Sequence, residues 1–122
     1  MVLVDTSVWV DFLRGGDAGL SMLLTQNQVC MHPMVMGELA CSNLKNRTEL
    51  LQLWANLPQA QPATHSEVLY FLDSQQLMGK GIGYVDLHQL AATQLSANTQ
   101  LWTRDKRLAQ LADSFGCAYF SH

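Results

Sequence analysis

Met1-Val2-Leu3-Val4-Asp5-Thr6-Ser7-Val8-Trp9 opens the chain. Met1 to Val4 is a short apolar run that reads as a buried strand, and Asp5 ends it. Thr6 or Ser7 then supplies a helix N-cap. Val8, Trp9, Phe12 and Leu13 follow at helical spacing until Gly15-Gly16 stops them. A strand that passes through an aspartate straight into a helix is the building unit of a parallel α/β sheet.

The pattern repeats along the chain. Ser21 to Gln26 is a short helix and Val29-Cys30-Met31 a second strand. Pro33 suits the first turn of a helix carrying Val35, Glu38 and Leu39. Leu50, Leu53, Trp54 and Leu57 mark a helix over Thr48 to Leu57, stopped by Pro58. A short strand is expected between Gln59 and Ala63, and Ser66 opens a helix with Val68, Leu69, Phe71 and Leu72. Gly79, Gly81 and Gly83 mark a loop. Asp86 to Ser96 is a helix, Gln100 to Thr103 a strand, Lys106 to Ala112 a helix and Cys117 to Phe120 a last strand. The fold class is α/β: one domain over residues 1–122, with a mainly parallel central sheet and helices on both faces.

Composition agrees. A chain of 122 residues, 48% hydrophobic and 14% charged, is long enough to bury a core without disulfide or metal staples. No apolar run reaches the roughly 18 residues a membrane span needs, and the N-terminus has no signal-peptide pattern. Three widely spaced cysteines, Cys30, Cys41 and Cys117, form no zinc motif and read as reduced, mostly buried thiols in a cytoplasmic protein.

In parallel sheets, sites form beyond the carboxyl ends of the strands. Asp5 follows the first strand, Asp105 lies two residues past Thr103, and Asp86 stands at a helix start after Gly81-Ile82-Gly83. Glu38 lies within a helix beside Leu39, where an isolated carboxylate needs a partner or an ion. Taken singly, each has a plainer reading: a turn residue, a helix-dipole partner or a solvated face. Three of ten acidic residues at strand-to-helix transitions are harder to dismiss. Gathered together they repel one another without a cation, and oxygen-only ligands select hard ions such as Mg²⁺, with Mn²⁺ as substitute. Such ions activate water and stabilise the leaving oxygen in phosphodiester hydrolysis. The formal net charge of −3 becomes +1 once those four carboxylates are set aside. RNA binding is therefore permitted but not argued by charge.

Four blocks carry a family resemblance over nearly the whole chain. They are Val4-Asp5-Thr6-Ser7-Val8-Trp9 with Asp11-Phe12-Leu13-Arg14, then Gly37-Glu38-Leu39, then Gly81-Ile82-Gly83-Tyr84-Val85-Asp86, then Leu101-Trp102-Thr103-Arg104-Asp105-Lys106-Arg107-Leu108. The sequence resembles a PIN domain, and within that family the toxin of a VapBC-type toxin–antitoxin pair. The resemblance implies an Mg²⁺-dependent endoribonuclease that cuts RNA with a metal-activated water, restrained by a cognate VapB-type antitoxin. Asp5, Glu38, Asp86 and Asp105 match the family's acidic, metal-binding set, and Thr6 and Thr103 its polar partners. A homodimer is implied too, and the apolar Leu50, Leu53, Trp54 and Leu57 point to it.

Other residues have readings of their own. Asp11 faces solvent or pairs with Arg14; Asp73 and Asp113 read as exposed helix charges. His88 is an alternative base. His32, His65 and His122 read as loop or terminal residues. Trp9, Trp54 and Trp102 offer faces for RNA bases, though their apolar neighbours favour core packing or a dimer contact. A receiver domain needs an acidic pair after the first strand, and a haloacid-dehalogenase-type phosphatase a second aspartate at position 7, which is Ser7. A catalytically silent PIN scaffold that binds RNA or protein is the alternative, and its expected mark is loss of an acidic position.

Overall fold

In the computed structural model, which describes residues 1–121, the sheet is built around the first apolar run. The elements are β1 (Val2–Val4), α1 (Thr6–Gly15), α2 (Ala18–Thr25), β2 (Val29–Cys30), α3 (Pro33–Ala40), α4 (Arg47–Asn56), α5 (His65–Ser74), α6 (Tyr84–Leu95), β3 (Gln100–Trp102) and α7 (Lys106–Ser114). The strand order is β2-β1-β3, with both pairings parallel. Leu3 stands opposite Cys30 on one side and Leu101 on the other.

Side chains alternate across a strand, so β1 feeds two cores. Leu3 packs with Val68, Leu87, Leu90, Ala92 and Leu108 from α5, α6 and α7. Val2 and Val4 point the other way, to Val8, Trp9, Leu20, Val35, Leu39 and Trp54 from α1, α2, α3 and α4. The sheet is thus covered by helices on both faces, as expected. Because β1 and β2 are buried throughout, each reads as an unbroken apolar run rather than an alternating one.

Some boundaries move. The helix expected from Ser21 begins at Ala18, because the Asp17 carboxylate caps it by accepting from the Leu20 N–H at 3.0 Å. The helix expected from Asp86 begins at Tyr84, which puts Asp86 in its first turn. The strand expected at Gln59 to Ala63 shrinks to a single parallel bridge between Met31 and Gln59. Pro58 and Pro62 flank it and have no N–H to offer a ladder. The strand expected at Cys117 to Phe120 is likewise one bridge, Leu101 to Ala118, against a β3 only three residues long.

All three tryptophans are buried. Trp54 meets Trp9 edge-on at 5.7 Å and completes the core, so it is no part of an exposed apolar stripe; Leu53 beside it is 47% exposed. Cys30 and Cys117 are buried free thiols, and Cys41 is exposed. Among the described residues, no helix is long and apolar enough to cross a membrane.

Candidate functional site

Asp5 is the N-cap of α1 by position, yet its side chain caps nothing. It is buried, and an ionised carboxylate survives there only with donors around it. It has three. Oδ1 accepts from Gln89 Nε2 at 2.8 Å, and Oδ2 from Ser7 Oγ at 2.6 Å and Thr103 Oγ1 at 2.8 Å. The β1–β3 pairing brings Thr103 to Asp5, reinforced by the Asp5 N–H donating to the Trp102 carbonyl at 2.9 Å. Thr103 Oγ1 in turn accepts from the Asp105 N–H at 3.0 Å, which sets the turn that carries Asp105. Gln89 comes from the buried face of α6, one turn beyond Asp86. Asp5 does stand at the turn before α1, and its three donors go beyond what a turn needs.

Asp105 is exposed and caps α7 through the Leu108 N–H at 3.0 Å. Asp86 is half-buried and reaches back to the Gly83 N–H at 3.0 Å. The helix-terminal readings of these two are therefore true, but they are not the whole account. Burial pushes the Asp86 carboxyl above the usual carboxylate range. The neighbouring charges of Asp5, Asp105 and Glu38 push it the same way, and the Gly83 N–H opposes them. The charges of Asp5, Asp105 and Glu38 thus all reach Asp86. Glu38 differs from the expectation in one respect: it is exposed on α3, and its Oε1 accepts from Thr6 Oγ1 at 2.7 Å. Thr6 and Thr103 each hold one member of the acidic set, as the family pattern implied.

Among the described residues, no three His, Cys, Asp or Glu side chains stand as a preformed metal cage. What fits a hard divalent cation is the chemistry of the donors: carboxylate oxygens only, mutually repelling, at the N-terminal ends of α1, α6 and α7.

Residues outside the acidic set also need correction. Asp11 pairs with Arg104 at 2.6 Å rather than with Arg14, and Arg104 reaches Asp17 at 2.8 Å as well. Asp73 and Asp113 are exposed, as read. His32 is not a loop residue: it is buried and caps α3, its Nδ1 accepting from the Met34 N–H at 3.0 Å. Burial, with His88 nearby, lowers its pKa to about 4. His65 begins α5 and shares a hydrogen bond with the Tyr84 hydroxyl. His122 lies outside the described residues. His88 is buried, with its pKa lowered by burial first and then by His65.

The sequence reading missed Gln89, Ser7 and Tyr84. Gln89 had a signal: it follows Asp86 by three positions on one helix, so the two share a face. Ser7 was read only as a cap candidate.

The family model for the PIN domain matches residues 2–114. Ribonuclease VapC32 of Mycobacterium tuberculosis, in strain CDC 1551 / Oshkosh and in strain ATCC 25618 / H37Rv, is 44% identical over 118 residues. The alignment covers 97% of this chain and 95% of each relative.

Proposed function

The chain belongs to the PIN-domain family, and from that premise we propose a metal-dependent endoribonuclease, the toxin of a toxin–antitoxin pair. Its one domain spans residues 1–122. The carrying observation is the buried Asp5 carboxylate, held by Gln89, Ser7 and Thr103 and near enough to the half-buried Asp86 for its charge to act there. Carboxylates whose charges act on one another are costly to a resting protein and useful to one that binds a cation.

We read Asp5, Glu38, Asp86 and Asp105 as the catalytic ligand set for Mg²⁺, with Mn²⁺ as a substitute. A bound divalent cation supplies a Lewis acid for the scissile phosphate and eases ionisation of the attacking water. The chain's own residues prepare that site. Gln89, Ser7 and Thr103 fix both Asp5 oxygens, Thr6 holds Glu38, and the amide ends of three helices temper the assembled negative charge. His88 is buried and needed for no step of this scheme.

To test the reading, purified protein is incubated with single-stranded RNA. Cleavage should require Mg²⁺ or Mn²⁺, stop in excess chelator and resume when the ion is restored. Full activity in chelator overturns the metal assignment; no cleavage of any RNA overturns the enzyme.

Two partners belong to the same proposal. A cognate VapB-type antitoxin would silence the enzyme by sending an arginine into the acidic centre, where a planar guanidinium matches carboxylates bidentately. A homodimer is supported by exposed apolar residues, including Leu53, Leu69, Tyr70 and Leu95. Mass measurement of the free protein and of the complex with its co-expressed neighbour tests both; a monomer that ignores the neighbour's product refutes both. The cytoplasm is the compartment consistent with free Cys30, Cys41 and Cys117.

A further inference from the structure

The geometry points to Tyr84 as a platform on which an unpaired RNA base stacks at the start of α6, in the turn that carries Asp86. The inference rests on the ribonuclease reading and names how that site holds its substrate. The tryptophans cannot serve, since Trp9, Trp54 and Trp102 are all buried. Three aromatic residues are exposed among those described: Tyr70, Tyr84 and Phe120. Tyr70 and Phe120 have neither an aromatic nor a side-chain hydrogen-bonded partner among the described residues.

Tyr84 is different. It is the first residue of α6, in the turn that carries Asp86, and Asp86 ties that turn together through the Gly83 N–H. Its hydroxyl is bonded to His65 Nδ1. Its ring meets the buried His88 ring edge-to-face, with centroids 4.5 Å apart and planes at 82°. His65 is itself fixed, because the Thr64 and Glu67 side chains close a capping box at the start of α5. The Tyr84 side chain is thus pinned by two helices, and the residue is still 41% exposed. A ring immobilised in advance loses little freedom when a base lies on it. Every base has a π-face, so such a platform takes single strands with little base preference.

Charge makes stacking more necessary. The chain has seven Lys and Arg against ten Asp and Glu. One of those cations, Arg104, is committed to Asp11 and Asp17. Phosphate attraction is correspondingly weak.

The test is fluorescence anisotropy of a labelled single-stranded RNA with the full chain, using Ca²⁺ in place of Mg²⁺. A second RNA carries abasic nucleotides. A parallel Mg²⁺ reaction monitors cleavage. Tyr84→Ala should weaken binding of intact RNA about 5- to 150-fold. Tyr84→Phe should stay within about threefold, because the ring remains. On abasic RNA the gap between wild type and Tyr84→Ala should close. Tyr84→Leu, apolar but without a π-face, should behave as the alanine variant does and covers the case in which alanine misfolds. If wild type cleaves RNA yet the alanine and leucine variants bind both RNAs as wild type does, or lose both equally, the platform is wrong. Should wild type cleave nothing, the ribonuclease reading falls, and this inference with it.

Discussion

Replacing Gln89 with leucine removes one hydrogen bond from the Asp5 carboxylate and one stranded oxygen from the core. Gln89 is fully buried; its Nε2 donates to Asp5 Oδ1 at 2.8 Å, and its Oε1 has no partner among the described residues. A hydrogen bond to a charged group contributes about 1.5–3 kcal/mol, and an unpartnered buried polar atom costs about 1–3 kcal/mol. The two changes oppose each other, so folding stability should move by no more than about 2 kcal/mol. Cation binding has no such compensation. Loss of a group that orients a metal ligand typically costs about 10- to 100-fold in affinity. Thermal melts in chelator would measure the first quantity, and Mn²⁺ titration followed calorimetrically the second. A stability loss beyond about 3 kcal/mol with unchanged ion affinity would refute the reasoning, since Gln89 would then be a core residue that happens to touch Asp5.

Buried His32 has its pKa lowered from 6.5 to about 4, so between those values the unfolded chain binds the proton and the folded one does not. Stability should be full above pH 6.5 and fall as the pH drops toward 4, by about 3 kcal/mol for this group. His32→Asn keeps a cap for the Met34 N–H and should flatten that part of the profile in urea titrations; equal slopes for both proteins would contradict the assignment. Asp5→Asn, Asp86→Asn and Asp105→Asn should each abolish cleavage while the protein stays folded, and Glu38→Gln should impair it. Asp86→Asn should leave stability unchanged or raise it by roughly 1 kcal/mol, because it relieves repulsion. Any isostere that cleaves at the wild-type rate with saturating Mg²⁺ removes its residue from the site.

The strand-to-helix turns at Asp5 and Asp105 were legible because local chemistry fixes them: an apolar run, an acidic residue, then a helix. Helix ends were less so, since the Asp17 cap is a side-chain choice that periodicity does not encode. The supposed strands after Pro58 and Gly116 read as strands from residue type, but a ladder needs a neighbour long enough to pair with, which is a property of the sheet. Core packing and a dimer contact were both open for Trp54 because a helical stripe does not say which side is covered; packing against Trp9 decides for the core. The acidic candidates and the two threonines that hold Glu38 and Asp5 were readable, and the other neighbours were not. Gln89 and Tyr84 are ordinary helix residues until the fold brings Asp5 and His65 to them.

Asp5 receives its Thr103 hydrogen bond from a residue 98 positions away, across the pairing of β1 with β3, the last strand of the sheet. A protein made on a ribosome emerges N-terminus first, at about 5–20 residues per second. Asp5 is therefore made 98 residues before the Thr103 hydroxyl that closes its cage. Long-range parallel pairing adds further delay, because the loop must close before any contact rewards it. Of the four residues in that cage, Asp5 is made first and Thr103 last.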